Sequence, residues 1–285
     1  MKTIRLKSPA KVNLYLKALR KRSDGYHELE TIFERISLYD QILLSENKNN
    51  GIKITSSSRD IPTGPQNIVY KIAALVQKKY CVNRGVSIHI EKKIPVAAGL
   101  AGGSSNAATV LVGLNRLWRL SLTRKQLVDL ANQVGSDVAF FLYDTSFALG
   151  KGRGERIKPF LVKHKLWHVL VVPRIKLLTK NVYGALKLGL TKQNGNVNIL
   201  IHRLKKNDLN VLSCLLTNDL EPVAMHLCPR LKILKRRFQA LGCNAVLLSG
   251  SGPSVYALLE SKQHAQETAK KLARWYSRVF VVCTA

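Results

Sequence analysis

Two stretches of this sequence place small residues where chemistry on phosphate needs them. Residues 95–105 read Pro95-Val96-Ala97-Ala98-Gly99-Leu100-Ala101-Gly102-Gly103-Ser104-Ser105, without a charged side chain, and run straight into the helix-favouring Asn106-Ala107-Ala108-Thr109-Val110-Leu111. A loop without bulky side chains lets backbone N–H groups face a phosphate at the positive end of the following helix. Ser104 and Ser105 add hydroxyls that donate to the phosphate or reach a Mg²⁺ ion. The stretch is not a Walker A loop, since no Gly-Lys-Ser/Thr follows, and not a GxGxxG opening a long βαβ unit. On spacing alone, a tight turn whose glycines only allow close packing is the competing reading. Ser249-Gly250-Ser251-Gly252-Pro253 is a second Gly-Ser loop and by itself an ordinary hairpin turn. Together the two loops strengthen each other, because an active site between two domains uses both.

Three further groups carry potential chemistry. Lys11 and Asn13 alternate with Val12 and Leu14 and therefore share one face of a strand, although a strand Lys is ordinarily solvated. Asp137 follows Gly135-Ser136 and precedes the apolar run 138–142, so it is a cap by default and otherwise a positioned base. Asp24-Gly25-Tyr26-His27-Glu28 joins a turn to an aromatic ring and an imidazole, groups able to stack on a base and read its edge.

The elements that must position these groups follow from periodicity. Alternation predicts strands over 10–19, 29–38, 42–45, 52–56 and 86–90; Ile68, Ile72, Leu75 and Val76 give a helical stripe between Asn67 and Tyr80. Helices follow at 104–118 and 123–134, the latter capped by Thr123 and stopped by Gly135. Residues 149–155, containing Lys-Gly-Arg-Gly, have loop composition, and a domain boundary falls between them and His168, giving domains 1–157 and 158–285. Beyond it, strands at 168–172, 245–248, 255–259 and 279–282 alternate with helices that include 229–241 and 263–276. The order strand, helix, strand, strand, helix, strand suggests a ferredoxin-like half, so the fold class is α+β in two parts.

At 285 residues, with 46% hydrophobic and 22% charged side chains, the chain has the composition of a globular protein with a proper core, not of a disordered or fibrous one. Its charge is the departure: 46 Lys and Arg against 17 Asp and Glu give +29, which implies contact with nucleic acid, anionic lipid or a phosphorylated small molecule. The basic clusters 20–22, 92–93, 235–237 and 270–271 read as solvated faces with a share in long-range steering. Five scattered cysteines without a CxxC pair fit a reducing, cytoplasmic setting. No apolar stretch follows Lys2, Arg5 and Lys7, and no window approaches a membrane span.

Taken together, Ser8-Pro-Ala-Lys-Val-Asn-Leu14, Arg22-Ser-Asp-Gly-Tyr-His-Glu-Leu-Glu-Thr-Ile-Phe33, the 95–108 loop, Gly135-Ser-Asp-Val-Ala139, Asn218-Asp-Leu-Glu221 and Leu248-Ser-Gly-Ser-Gly-Pro253 resemble the GHMP kinase superfamily over nearly the whole chain. The resemblance implies an N-terminal domain like ribosomal protein S5 domain 2 and a C-terminal ferredoxin-like domain, with ATP and an alcohol substrate in the cleft between them. The Asp24–Leu29 run selects the members whose acceptor is the 2-hydroxyl of a cytidine diphosphate alcohol, on the non-mevalonate route to isoprenoid precursors. Carried over residue by residue, 95–105 bind ATP, with Mg²⁺ as its companion and no metal ligand assigned. Asp137 accepts or orients the hydroxyl proton, and Lys11 holds Asp137 ionised and neutralises transferring charge. Asn13 places the substrate, His27 reads the cytosine edge, Tyr26 and Tyr183 flank its faces, and Asn67 with Lys92-Lys93 lies near the nucleoside of ATP.

Ala98 and Ala101 stand where relatives often have glycine, so a positive φ there is strained, and Ala139 stands where a Pro commonly follows. The partners expected are the small-molecule substrate and ATP, with no specific nucleic acid and no membrane; oligomeric state leaves no mark in the sequence. The rival readings are another superfamily acceptor, such as mevalonate, homoserine or a sugar, and an RNA-binding protein. The latter lacks an aromatic-basic RNA motif and has no use for Lys11, Asp137 and the Gly-Ser loop.

Overall fold

The computed structural model describes residues 3–47, 49–187, 196–206 and 208–285. The alternation around residue 10 belongs to a longer strand than expected, β1 (Thr3–Lys21). A turn with Gly25 at φ +84 returns the chain into β2 (His27–Asn47). The strands expected at 29–38 and 42–45 are one. Asp40, in the gap between them, is buried and accepts hydrogen bonds from the amides of Lys93 (2.7 Å) and Ile94 (2.8 Å). Then follow β3 (Ile52–Ser56), α1 (Ile68–Lys79), β4 (Gly85–Glu91), α2 (Gly102–Leu117), α3 (Arg124–Val134) and a 3₁₀ turn at Ala139–Leu142. The rest of the chain forms β5 (Phe147–Gly152), β6 (Arg156–Phe160), β7 (Trp167–Val171), α4 (Thr179–Gly184), α5 (Val197–Lys206), α6 (Leu209–Leu215), β8 (Thr217–Asn218), α7 (Leu220–Leu227), α8 (Arg230–Ala240), β9 (Ala245–Leu248), β10 (Val255–Leu259), α9 (Lys262–Leu272) and β11 (Val279–Cys283).

Contacts divide the chain into two compact units. One comprises residues up to Ala10, Leu38–Val96 and Ala101–Asp144; the other comprises Lys11–Ser37, Ala97–Leu100 and the chain from Thr145 onward. In the first unit β4 pairs antiparallel with the second half of β2 and parallel with β3. Helix α1 buries Val69, Ile72, Ala73 and Val76, and α2 approaches β2 so closely that a Cβ on Gly113 would lie 2.0 Å from Leu44 Cδ1. Thr123 caps α3 in a full capping box with Gln126, as its sequence predicts.

In the second unit the first half of β2 pairs with β5, β5 pairs with β6, and β8 pairs with β1. The β5–β6 hairpin corrects the loop expected at 149–155. Its glycines serve a turn, with Gly152 at φ +76 and Gly154 at φ +106, and close packing, since a Cβ on Gly150 would lie 2.6 Å from Phe33 Cε2. A second sheet has the order β11-β7-β10-β9, all antiparallel, which is the strand order expected of a ferredoxin-like layer. Every residue of β9 and β10 is buried, so both sheet faces are covered there, with α8 against β9 and β10 and α9 against β7, β10 and β11. No helix among the described residues is long and apolar enough to cross a membrane.

Candidate active site

Strand β1 does not solvate its lysine: Lys11 is 4% and Asn13 2% exposed. A buried ammonium is costly unless hydrogen bonds compensate it. Lys11 Nζ donates to Asn13 Oδ1 at 2.7 Å and stands 5.4 Å above the Phe33 ring. Asn13 Nδ2 in turn donates to Thr31 Oγ1 (2.8 Å), and Thr31 donates its single proton to the Tyr15 carbonyl (2.6 Å). Since that carbonyl can only accept, the polarity of the chain is fixed. Thr31 must receive from the Asn13 amide nitrogen, and Asn13 must turn its oxygen to Lys11. Tyr256 adds a backbone anchor, its hydroxyl donating to the Asn13 carbonyl at 2.8 Å.

The two Gly-Ser loops meet in this same unit. Lys11 N donates to Leu100 O (3.1 Å), Ser249 Oγ to Gly99 O (3.0 Å) and Ser254 N to Ala98 O (3.4 Å), so 97–100 is bound between β1 and the 249–254 loop. A Cβ on Gly99, which has φ +76, would lie 2.2 Å from Ser249 O. On Gly250 a Cβ would lie 3.4 Å from Asn13 Oδ1 and 3.6 Å from Lys11 Nζ, which places the Ser-Gly loop beside the buried lysine. The Asn218–Glu221 run is the scaffold of this loop. Asn218 Nδ2 donates to Leu248 O (2.8 Å) and Gly250 O (2.7 Å), and Glu221 Oε2 accepts from Leu248 N (2.7 Å).

In the first unit, Pro95 and Val96 precede the other half of the loop. Lys92 is not available to a nucleoside: its ammonium is buried, 2.6 Å from Asp40 Oδ2, bonded also to Ile94 O, and burial lowers its pKa against the pull of Asp40. Lys93 is exposed and 3.4 Å from Glu91. The Asn67 amide caps α1 by accepting from Val69 N (2.8 Å) and donates to Pro62 O (2.7 Å), so its position is explained without a ligand. Ala101 is the N-cap of α2 in the left-handed region at φ 51 and makes no side-chain cap hydrogen bond. Ala97 shares the conformation at φ 52, while Ala98 is not among the positive-φ residues, so the strain falls on 97 and 101 rather than on 98 and 101. Ser105 is buried and hydrogen-bonds Ser8 Oγ (2.8 Å), which also donates to Asn106 Oδ1 (2.7 Å); Ser104 and Gly102 are half-buried and Gly103 exposed. Asp137 is half-buried in the turn after α3, 3.5 Å from Ser136 Oγ, and the cap of the following 3₁₀ turn is Val138, one residue beyond it. Ala139 begins that turn in helical conformation without needing a Pro.

The base-reading candidates lie in the second unit. His27 is buried and faces Tyr183 with ring centroids 5.4 Å apart at 34°. Burial, reinforced by the charge of Lys21, lowers the His27 pKa, so the ring is neutral at pH 7 and has both a donor and an acceptor nitrogen. Tyr26 is 57% exposed, with the Arg153 guanidinium 5.0 Å from its ring centre, on a turn fixed by Tyr26 N to Asp24 Oδ1 (3.1 Å) and Arg22 N to Tyr26 O (2.8 Å). Thr179 at the start of α4 reaches Ser251 Oγ at 2.8 Å, so the helix carrying Tyr183 is attached to the Ser-Gly loop. Lys11, Asn13, Tyr26, His27, 97–100 and Tyr183 thus belong to one unit, and Pro95, Val96, 101–105 and Asp137 to the other. Thr31 and Asn218 acquire roles that no spacing rule assigns.

Known proteins resemble the chain along its whole length. The family model of the GHMP kinases N terminal domain matches residues 67–145 and that of the GHMP kinases C terminal matches 200–278. The 4-diphosphocytidyl-2-C-methyl-D-erythritol kinase of Alkaliphilus metalliredigens is 41% identical over 282 residues, 99% of this chain and 97% of the relative. That of Bacillus subtilis is 41% identical over 277 residues, 97% of this chain and 95% of the relative. A crystal structure of 4-(cytidine 5'-diphospho)-2C-methyl-D-erythritol kinase superposes with a TM-score of 0.84 at 34% identity, covering 99% of this chain and all of the other. A homoserine kinase from Cytophaga hutchinsonii shares the fold at 21% identity, with a TM-score of 0.79.

Proposed function

Because the chain belongs to the 4-diphosphocytidyl-2-C-methyl-D-erythritol kinases of the GHMP kinase superfamily, we infer the role of each site residue from the geometry of its unit. The enzyme transfers the γ-phosphoryl group of ATP to the 2-hydroxyl of 4-diphosphocytidyl-2-C-methyl-D-erythritol, giving the 2-phosphate and ADP for non-mevalonate isoprenoid synthesis. Such a transfer needs in-line positioning and neutralisation of charge more than covalent chemistry. Asp137 accepts or orients the proton of the acceptor hydroxyl. Lys11, held by Asn13 and Thr31, neutralises charge on the transferring group, and Asn13 places the alcohol. Residues 95–105 cradle the ATP phosphates, supported by the uncapped start of α2. His27 reads the cytosine edge, with Tyr183 and Tyr26 against its faces.

Mg²⁺ is the counter-ion that would neutralise charge on the ATP phosphates. No group of three or more His, Cys, Asp or Glu that could hold a metal occurs among the described residues. Ser104 is the loop hydroxyl proposed to reach Mg²⁺, Ser105 being engaged with Ser8. The domain limits proposed, 1–157 and 158–285, leave one family match on each side. A cytoplasmic setting is supported by five free thiols.

The observation that carries the acceptor assignment is the His27–Tyr183 pair. ADP release is expected with the cytidine diphosphate alcohol and not with mevalonate, homoserine or galactose; release with one of those alone would overturn the roles of Tyr26, His27 and Tyr183. The depressed pKa of His27 gives a second expectation. The neutral ring persists from alkaline pH down past its ordinary value of 6.5, so KM for the acceptor is flat above that value and rises as pH falls through the lowered folded value. Over the same acid range the unfolded chain binds the extra proton, so this contribution to stability is lost as well. Thr31→Val removes both the acceptor for the Asn13 amide and the donor to Tyr15. We expect kcat to fall about tenfold, with Thr31→Ser restoring it, in steady-state assays of the two variants.

A further inference from the structure

A groove of about 440 Å³ opens in the second unit where the segment after β7, one face of α8 and the turn after α9 come together. Arg230, Ile233 and Arg237 line it at i, i+3 and i+7 of α8, Arg174 faces them from the segment after β7, and Trp275 and Tyr276 close it. Trp275 and Ile233 are each 51% exposed. The aromatic wall is fixed in place: the Arg237 guanidinium lies 4.9 Å from the Trp275 ring centre and 5.3 Å from that of Tyr276, and donates to Tyr276 Oη at 3.0 Å. The charge around the groove is one-sided. Residues 172–177, 229–241 and 262–278 contain twelve Lys and Arg and a single acid, Glu267, which pairs with Gln263. Of the twelve, Lys235 is bound to Glu221.

This chemistry asks for a ligand with both anionic charge and flat apolar faces. Arg230 and Arg237 are about 10 Å apart along the helix axis, farther than one phosphate group spans, so the negative charge must be distributed. An exposed indole beside spaced guanidiniums matches an unpaired base next to successive phosphates and has nothing to stack on in a duplex. We propose that this groove binds single-stranded nucleic acid without sequence preference, the phosphates running along Arg174, Arg230 and Arg237 and a base stacking on Trp275. The site is independent of the kinase reading, because none of these residues has a part in phosphoryl transfer.

The test is the anisotropy of a labelled oligouridylate titrated with the full chain over a salt series. Trp275→Ala is expected to weaken binding about 5- to 150-fold without changing the slope of log K against log salt, and Trp275→Phe to restore most of it. Arg174→Ala and Arg230→Ala are each expected to reduce that slope by about 0.7, with ATP turnover at the wild-type rate in every variant. Binding that ignores Trp275→Ala overturns the proposal by making association a property of the whole +29 surface. Equal affinity for a duplex of the same length, full competition by free nucleotide or by anionic vesicles at the same charge concentration, or no binding at low salt also overturns it.

Discussion

In the Asp137→Asn enzyme kcat is expected to fall about 10²- to 10⁴-fold while the melting temperature stays near that of the wild type. The substitution keeps shape and hydrogen-bonding capacity and removes the charge that would accept the hydroxyl proton. The local backbone does not rest on the carboxylate, because the 3₁₀ turn after Asp137 is capped at Val138 and the turn itself is held by backbone bonding from Val138 N to Gly135 O at 3.3 Å. An interaction made only in the transition state lowers kcat and kcat/KM together and leaves binding of both substrates intact. The measurement is therefore a full steady-state analysis with the cytidine diphosphate alcohol, beside thermal unfolding. A fall of less than tenfold would remove Asp137 from the chemical step.

Lys11→Met is expected to lower kcat far more than it lowers stability. Lys11 is buried and donates to Asn13 Oδ1, so the apolar side chain leaves that buried amide oxygen without its donor, at a cost of about 1–3 kcal/mol of stability. The same change removes the cation that faces Asn13 Oδ1 beside the Ser-Gly loop, so kcat is expected to fall about 10²- to 10³-fold. Lys11→Arg does not restore it, since a planar fork cannot occupy the space of a compact ammonium among Phe33, Asn13 and Gly250. Unfolding at a lower temperature with kcat preserved would make Lys11 a structural residue.

What could be read from the sequence, and what could not, follows the range of the interactions involved. Helices α1 and α3 and strands β3, β9 and β10 were legible because period and caps are local: Thr123 caps where its side chain predicts, whereas the cap made by Asn67 appears only in the structure. Two features misled. Strand β2 read as two pieces, 29–38 and 42–45, because the partners that bury Asp40 between them, the amides of residues 93 and 94, lie more than fifty positions away. The β5–β6 hairpin looked like a loop because one of its glycines, Gly150, is required by Phe33, more than a hundred positions away, while Gly152 and Gly154 serve the turn. The site divides in the same way. Lys11, Asn13, His27 and the Gly-Ser loops are visible as residue types in motifs, whereas the burial of Lys11 and the orientation of Asn13 depend on Thr31 and on the 218–221 scaffold, which only the fold brings near.

The interleaving of the two units bears on how the protein is made. As the chain leaves the ribosome, every segment of the first unit has emerged by Asp144, while β1 and the first half of β2 carry unpaired edges. Their partners are β5 at 147–152, β8 at 217–218 and the Ile36 bridge to Thr284, so some edges wait for almost the whole of synthesis. Long-range pairings of this kind slow folding and leave strand edges open to other chains. Nascent chains stalled just past residue 144 are therefore the species most in need of a chaperone, and yield in a heterologous host should respond to slowed translation more than to lowered temperature alone.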